Sequence, residues 1–119
     1  MADFLAKPLE LSYVRHVPAI DADPDKVLVI CHGIFSSKHS WERIGKQIAD
    51  QTRRVVYCLD LRDHGDSPFS DAEHGDFTYE GIVSDLVNFL RTHDIGQAVL
   101  LGVGSSKKCF VSFGRRETD

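Results

Sequence analysis

Val27-Leu28-Val29-Ile30-Cys31 is an unbroken apolar run, rich in β-branched side chains, that stops at His32-Gly33. Alternate side chains of a strand point to opposite faces, so a strand made of this run must be covered on both sides. That demand predicts a central strand of a layered α/β structure, because a run this short is bounded too closely by turn residues to be a buried helix. Val55-Val56-Tyr57-Cys58-Leu59 repeats the pattern, and Ala98-Val99-Leu100-Leu101 gives a third run before Gly102. Between the runs the apolar spacing changes to that of helices. Trp41, Ile44 and Ile48 fall on one face, with Ser40 placed as an N-cap and Gly45 as a mild weakness. Tyr79, Ile82, Leu86 and Phe89 or Leu90 form a second such face, with Thr78 before it. Upstream, Leu9, Leu11 and Tyr13 alternate with Glu10 and Ser12, which predicts a half-buried opening strand, while residues 18–26 collect Pro and Asp as in a turn.

Strands alternating with amphipathic helices predict an α/β fold with a predominantly parallel sheet and flanking helices, whose ligands bind beyond the C-terminal strand ends. His32, the segment from Asp60 to Ser67, and the segment from Gly102 to Ser106 all fall at such ends. A chain of 119 residues, 42% of them hydrophobic, is the size of one small domain. Its 14 Lys and Arg against 18 Asp and Glu leave a net charge of -4, which argues against a broad electrostatic footprint for nucleic acid. No apolar run is long enough to cross a bilayer, and Met1-Ala2-Asp3-Phe4 does not begin a secretory signal. The three cysteines, Cys31, Cys58 and Cys109, form neither a metal-binding pair nor a disulfide framework, consistent with a reducing, intracellular compartment.

Two motifs in order, His32-Gly33-Ile34-Phe35-Ser36-Ser37 after one strand and Asp60-Leu61-Arg62-Asp63-His64-Gly65-Asp66-Ser67-Pro68 after the next, are followed by Tyr79 and Asp85-Leu86 in a helix. With these motifs the chain resembles the α/β-hydrolase superfamily over residues 9–102, in particular the small esterase and acylglycerol-lipase branch related to mitochondrial α/β-hydrolase domain proteins. The resemblance implies an oxyanion turn at Gly33, Ile34 and Phe35, where a backbone N–H of Ile34 or Phe35 stabilises the anion of a tetrahedral acyl intermediate. It implies a structural loop held by His32, Asp60, Arg62, His64, Gly65, Ser67 and Pro68, the charged members sharing one network. The substrate implied is a small ester or acylglycerol, attacked through an acyl-enzyme without metal or organic cofactor. The location implied is cytoplasmic by sequence, with the mitochondrion as the family alternative.

The resemblance weakens after Leu101. A G-x-S-x-G nucleophile elbow belongs there, but the chain reads Gly102-Val103-Gly104-Ser105-Ser106, with Gly104 in the serine slot and Ser106 in the last glycine slot. Ser105 is the displaced candidate nucleophile, and a shift of one residue on so sharp a turn redirects its hydroxyl. Beyond Gly104 the acids are Glu117 and Asp119, and no histidine follows. These residues predict a partial, N-terminal half of the hydrolase fold over 9–104 and an atypical tail over 105–119. They also predict a family-level ester hydrolase that is inactive in this form. Two further readings stand beside it. One is a noncatalytic interaction fragment that pairs with a protein partner through an exposed sheet edge. The other is a phosphate site at residues 102–107, although the spacing of a P-loop is absent. His32, Asp60 and His64 do not have the spacing of a metal site.

Overall fold

The computed structural model describes residues 7–23, 26–32, 37–69 and 79–102. They form strands β1 (Tyr13–His16), β2 (Val27–Cys31), β3 (Val55–Leu59) and β4 (Val99–Gly102), and helices α1 (Glu42–Thr52) and α2 (Tyr79–Thr92). A 3₁₀ turn over Lys38–Trp41 leads into α1. The strands form one sheet in the order β1-β3-β2-β4. β2 runs parallel to both β3 and β4, whereas β1 is antiparallel to β3, so the sheet is mixed.

All five residues of β2 and all five of β3 are buried, as two-sided coverage requires. Val29, Cys31, Tyr57 and Leu59 face a cluster that includes Ile82, Val83, Leu86 and Phe89 of α2. Leu28, Ile30, Val56 and Cys58 face Ala49 of α1, with Trp41 and Ile48 packed at its margin. Each large apolar side chain in these layers contributes about 1.5–3 kcal/mol relative to exposure. β4 differs: its burial alternates between exposed and half-buried, with Val99 and Leu101 open on the face that Leu28 and Ile30 share.

Three local expectations are corrected. Leu9 and Leu11 are buried but precede β1, which begins only at Tyr13. Side chains take the place of a ladder here: Leu9 N–H donates to Asp85 Oδ1 and Ser12 N–H to Ser67 Oγ. The residue before α1 is Trp41 rather than Ser40, and it makes no side-chain cap bond. Ile44 faces solvent, because the buried side of α1 is carried by Gly45 and Ala49. Gly45 is a site of close approach, since a Cβ there would sit 2.8 Å from Cys58 Sγ and 3.0 Å from His16 Cδ2. Thr78 lies outside the described residues.

Candidate functional site

Cys31 stands in register with Leu59 of β3 on one side and with Gly102 of β4 on the other. The C-terminal ends of all three strands therefore lie along one edge of the sheet. His32 and Asp60 emerge there next to each other, which sets the geometry of everything around them.

His32 is buried, and its Nε2 accepts the Leu61 N–H at 3.0 Å. A backbone N–H can only donate, so Nε2 carries no proton in this arrangement. The His64 ring lies 5.1 Å away, and its Nδ1 is 2.9 Å from the Arg62 carbonyl, to which it must donate.

Asp60 is fully buried, and its carboxylate accepts hydrogen bonds from Lys38 and Asp66. Lys38 N–H reaches Oδ1 at 2.7 Å, while Lys38 Nζ and Asp66 N–H reach Oδ2 at 2.6 and 3.0 Å. Lys38 Nζ also donates to Asp66 Oδ2 at 2.8 Å. Burial pushes the Asp60 carboxyl upward, but the Lys38 ammonium and the two N–H donors outweigh it and hold the pKa below the usual carboxylate value. Burial likewise works against the Lys38 charge, yet its bonds to Asp60 and Asp66 keep its pKa above the usual lysine value. The lysine and Asp60 are thus a charged pair.

Arg62 and Asp85 form a second pair, both essentially inaccessible to solvent. Arg62 Nε donates to Oδ2 at 2.7 Å and Nη2 to Oδ1 at 2.8 Å, a bidentate fork, and Nη2 also donates to the Lys7 carbonyl. The pair links the loop after β3 to the middle of α2 and to the chain entering β1. Ser67 links the loop to itself: Oγ donates to the Asp60 carbonyl and accepts the Ser12 N–H. Pro68 accepts the Asp63 N–H through its carbonyl. Gly65 has φ +51° and lies so close to the Asp60 carboxyl that a Cβ would collide with it.

Of the expected network of Asp60, Arg62 and His64, Asp60 pairs with Lys38 and Asp66, Arg62 pairs with Asp85, and His64 donates to the Arg62 carbonyl. Lys38 was missed by sequence reasoning, since an isolated lysine ordinarily predicts an exposed side chain. Gly33, Ile34, Phe35, Gly104, Ser105 and Ser106 lie outside the described residues, while Gly102 ends β4.

The described groups are better suited to holding backbone than to proton transfer, because the carboxylates and cations at this edge are largely committed to one another. Cys58 is no nucleophile either: burial, aided by Glu42, pushes its thiol to about 11. Among the described residues no cluster with metal-ligand character occurs, no catalytic triad is assembled, and no helix is long and apolar enough to cross a membrane.

The family described as the alpha/beta hydrolase fold matches residues 26–103. An ethanol acetyltransferase of Cyberlindnera fabianii is 31% identical over 109 residues, which cover 87% of this chain and 31% of the transferase. An sn-1-specific diacylglycerol lipase of Danio rerio is 37% identical over 97 residues, or 82% of this chain and 28% of the lipase. A marine microorganism esterase superposes with a TM-score of 0.63 at 27% identity, over 77% of this chain and 31% of the esterase. A thermophilic esterase from Thermogutta terrifontis superposes with a TM-score of 0.74 at 21% identity, over 93% of this chain and 37% of that structure. The chain thus spans about a third of the length of these relatives.

Proposed function

Because the chain belongs to the α/β-hydrolase fold family, we propose that it carries the oxyanion-side half of an acyl-transfer site and does not itself turn over esters. The carrying observation is that residues 33–36 are bracketed by two attachments to adjacent positions of one loop. His32, just before them, accepts the Leu61 N–H, and Lys38, just after Ser37, donates through backbone and side chain to Asp60. Such bracketing suits a turn whose backbone N–H groups must face a developing anion without reorganising. In this reading Gly33, Ile34 and Phe35 form that turn, while His32, Asp60, Arg62, His64, Gly65, Ser67 and Pro68 are positioning residues. Lys38 and Asp85 join them.

Relatives named as a diacylglycerol lipase and an ethanol acetyltransferase share one chemistry, movement of an acyl group to water or to an alcohol. The substrate class proposed for the complete machinery is therefore a carboxylic ester or acylglycerol, handled through an acyl-enzyme. In this reading the chain's own contribution stops short of the nucleophile, since Gly104 holds the position where a serine would stand. Residues 9–104 form the hydrolase-like unit in this proposal, and 105–119 do not continue it.

A fluorophosphonate probe and p-nitrophenyl butyrate test the noncatalytic half of the proposal. No adduct and no turnover above buffer are expected; an adduct on Ser105, lost in Ser105→Ala, would overturn it. Diethyl phosphate, an anion with the shape of the tetrahedral intermediate, tests the other half. It should shift the Ile34 or Phe35 amide resonances, and less so in Lys38→Met; undisturbed amides would reject the oxyanion assignment.

A second reading, an interaction fragment, draws on β4. Val99 is 51% and Leu101 37% exposed on an edge strand, a surface suited to a pairing chain. Concentration-dependent mass in sedimentation, abolished by Val99→Lys with Leu101→Lys, is its expected signature, and a monomer at all concentrations rejects it.

A further inference from the structure

At the opposite ends of the strands lies an open cleft of about 510 Å³ that the acyl-transfer reading leaves unused. Val27 and Val55, the first residues of β2 and β3, form an apolar floor together with Tyr57, while Arg15, His93 and Asp94 stand around it. The size suits a small organic ligand, and the mixture of apolar floor with few polar groups is what such ligands require.

Arg15 gives the cleft its chemical preference. It pairs with Tyr57 across β1 and β3, its Nε donates to Tyr57 Oη at 3.3 Å, and its guanidinium carbon sits 6.0 Å from the Tyr57 ring centroid. Tyrosine therefore orients the guanidinium, and among the described residues no carboxylate neutralises it. This is unlike Lys38 and Arg62, whose charges are both answered internally. His93 is held beside it by three rings, with centroids 4.3 Å from Phe89, 4.8 Å from Tyr13 and 5.8 Å from Tyr57. Of the lining groups, Tyr57 and His93 are thus braced by neighbouring rings and lose little freedom when a ligand settles against them. Among the described lining residues Asp94 carries the opposing charge, at the exit of α2 with φ 54°.

We propose that this cleft binds a small amphipathic carboxylate, with the carboxylate on the Arg15 guanidinium and the apolar body against Val27, Val55 and Tyr57. A guanidinium fork matches a carboxylate in shape and charge, whereas a neutral ligand leaves its donors unanswered. A cationic ligand meets Arg15 at close range. Asp94 lowers affinity for any anion, so its removal has a defined sign.

The probe is 4-phenylbutyrate, titrated into the 119-residue chain while the Tyr57 and His93 ring resonances are followed. 4-Phenylbutanamide serves as the uncharged control. Saturable shifts are expected with the carboxylate, with affinity about tenfold lower for the amide and for Arg15→Gln. Arg15→Lys should fall between Arg15→Gln and the native chain, and Asp94→Asn should bind a few-fold more tightly through loss of repulsion. Arg15 is exposed, so an unchanged thermal melt of Arg15→Gln separates lost recognition from lost structure. Equal binding of acid and amide, undiminished binding by folded Arg15→Gln, or shifts that never saturate would each overturn the proposal.

Discussion

At the C-terminal ends of β2 and β3, Lys38, Asp60, Arg62 and Asp85 are buried against one another, whereas at the N-terminal ends Arg15 stands exposed over a tyrosine. The same residue types do different physical work at the two ends. A buried charge loses its hydration and is tolerated only when partners satisfy it with good geometry. Those partners then have little freedom left, so the pairs tie the loop after β3 to Lys38, to α2 and to the chain leading into β1. An exposed guanidinium has suffered no such loss and contributes little to stability.

Substitutions sharpen that contrast in a graded way. The largest effect is expected for Asp85→Ala, which leaves the Arg62 guanidinium buried without its fork and should cost about 3–5 kcal/mol. Urea denaturation of this small domain should show most of its cooperative transition gone. Replacing both partners, Arg62→Met with Asp85→Leu, should recover a large part of that loss, because two apolar groups remove the desolvation problem. A double variant as unstable as the single would break the account of the pair as mainly a desolvation problem.

Lys38→Met comes next, at about 1–3 kcal/mol, since it strands the Asp60 carboxylate in the interior. Its diagnostic is the pH profile. Asp60 is held below its ordinary value, so its contribution is complete above about pH 4 and disappears as pH falls through the lowered folded value. Lys38 is held above its ordinary value, so its contribution is complete below about pH 10.4 and disappears as pH rises through the raised folded value. Both limbs should flatten in Lys38→Met when stability is followed by thermal melts across pH; two unchanged limbs would contradict the pairing. Gly65→Ala follows, at about 1–2 kcal/mol for a side chain in left-handed backbone, with the collision against Asp60 added. Arg15→Ala should be smallest, within about 0.5 kcal/mol in the same denaturation assay. A large loss there would erase the distinction between the two ends.

Legibility in the sequence followed the range of the interaction. The apolar runs at Val27–Cys31 and Val55–Leu59 could be read directly because two-sided burial leaves a local mark, an absence of polar residues at successive positions. Ile82, Leu86 and Phe89 were equally readable from helical spacing. β1 was misplaced because Leu9 and Leu11 alternate like a strand but have their burial secured by α2 and the loop after β3 rather than by a ladder. Ile44 misled for a related reason: Gly45 allows α1 to approach the sheet closely, which turns a neighbouring apolar position outward.

By itself the sequence determined the α/β layering and the strand ends at which candidate site residues collect. These follow from periodicity and from residue identity at single positions, which need no knowledge of neighbours in space. Tertiary structure alone decided the partners. Lys38 meets Asp60 across 22 positions and Arg62 meets Asp85 across 23, while Arg15 meets Tyr57 across 42 and has no carboxylate partner among the described residues. Coulombic pairing depends on distance and burial rather than on residue order, so the same basic side chain becomes a structural brace at one end of the strands and a candidate recognition group at the other.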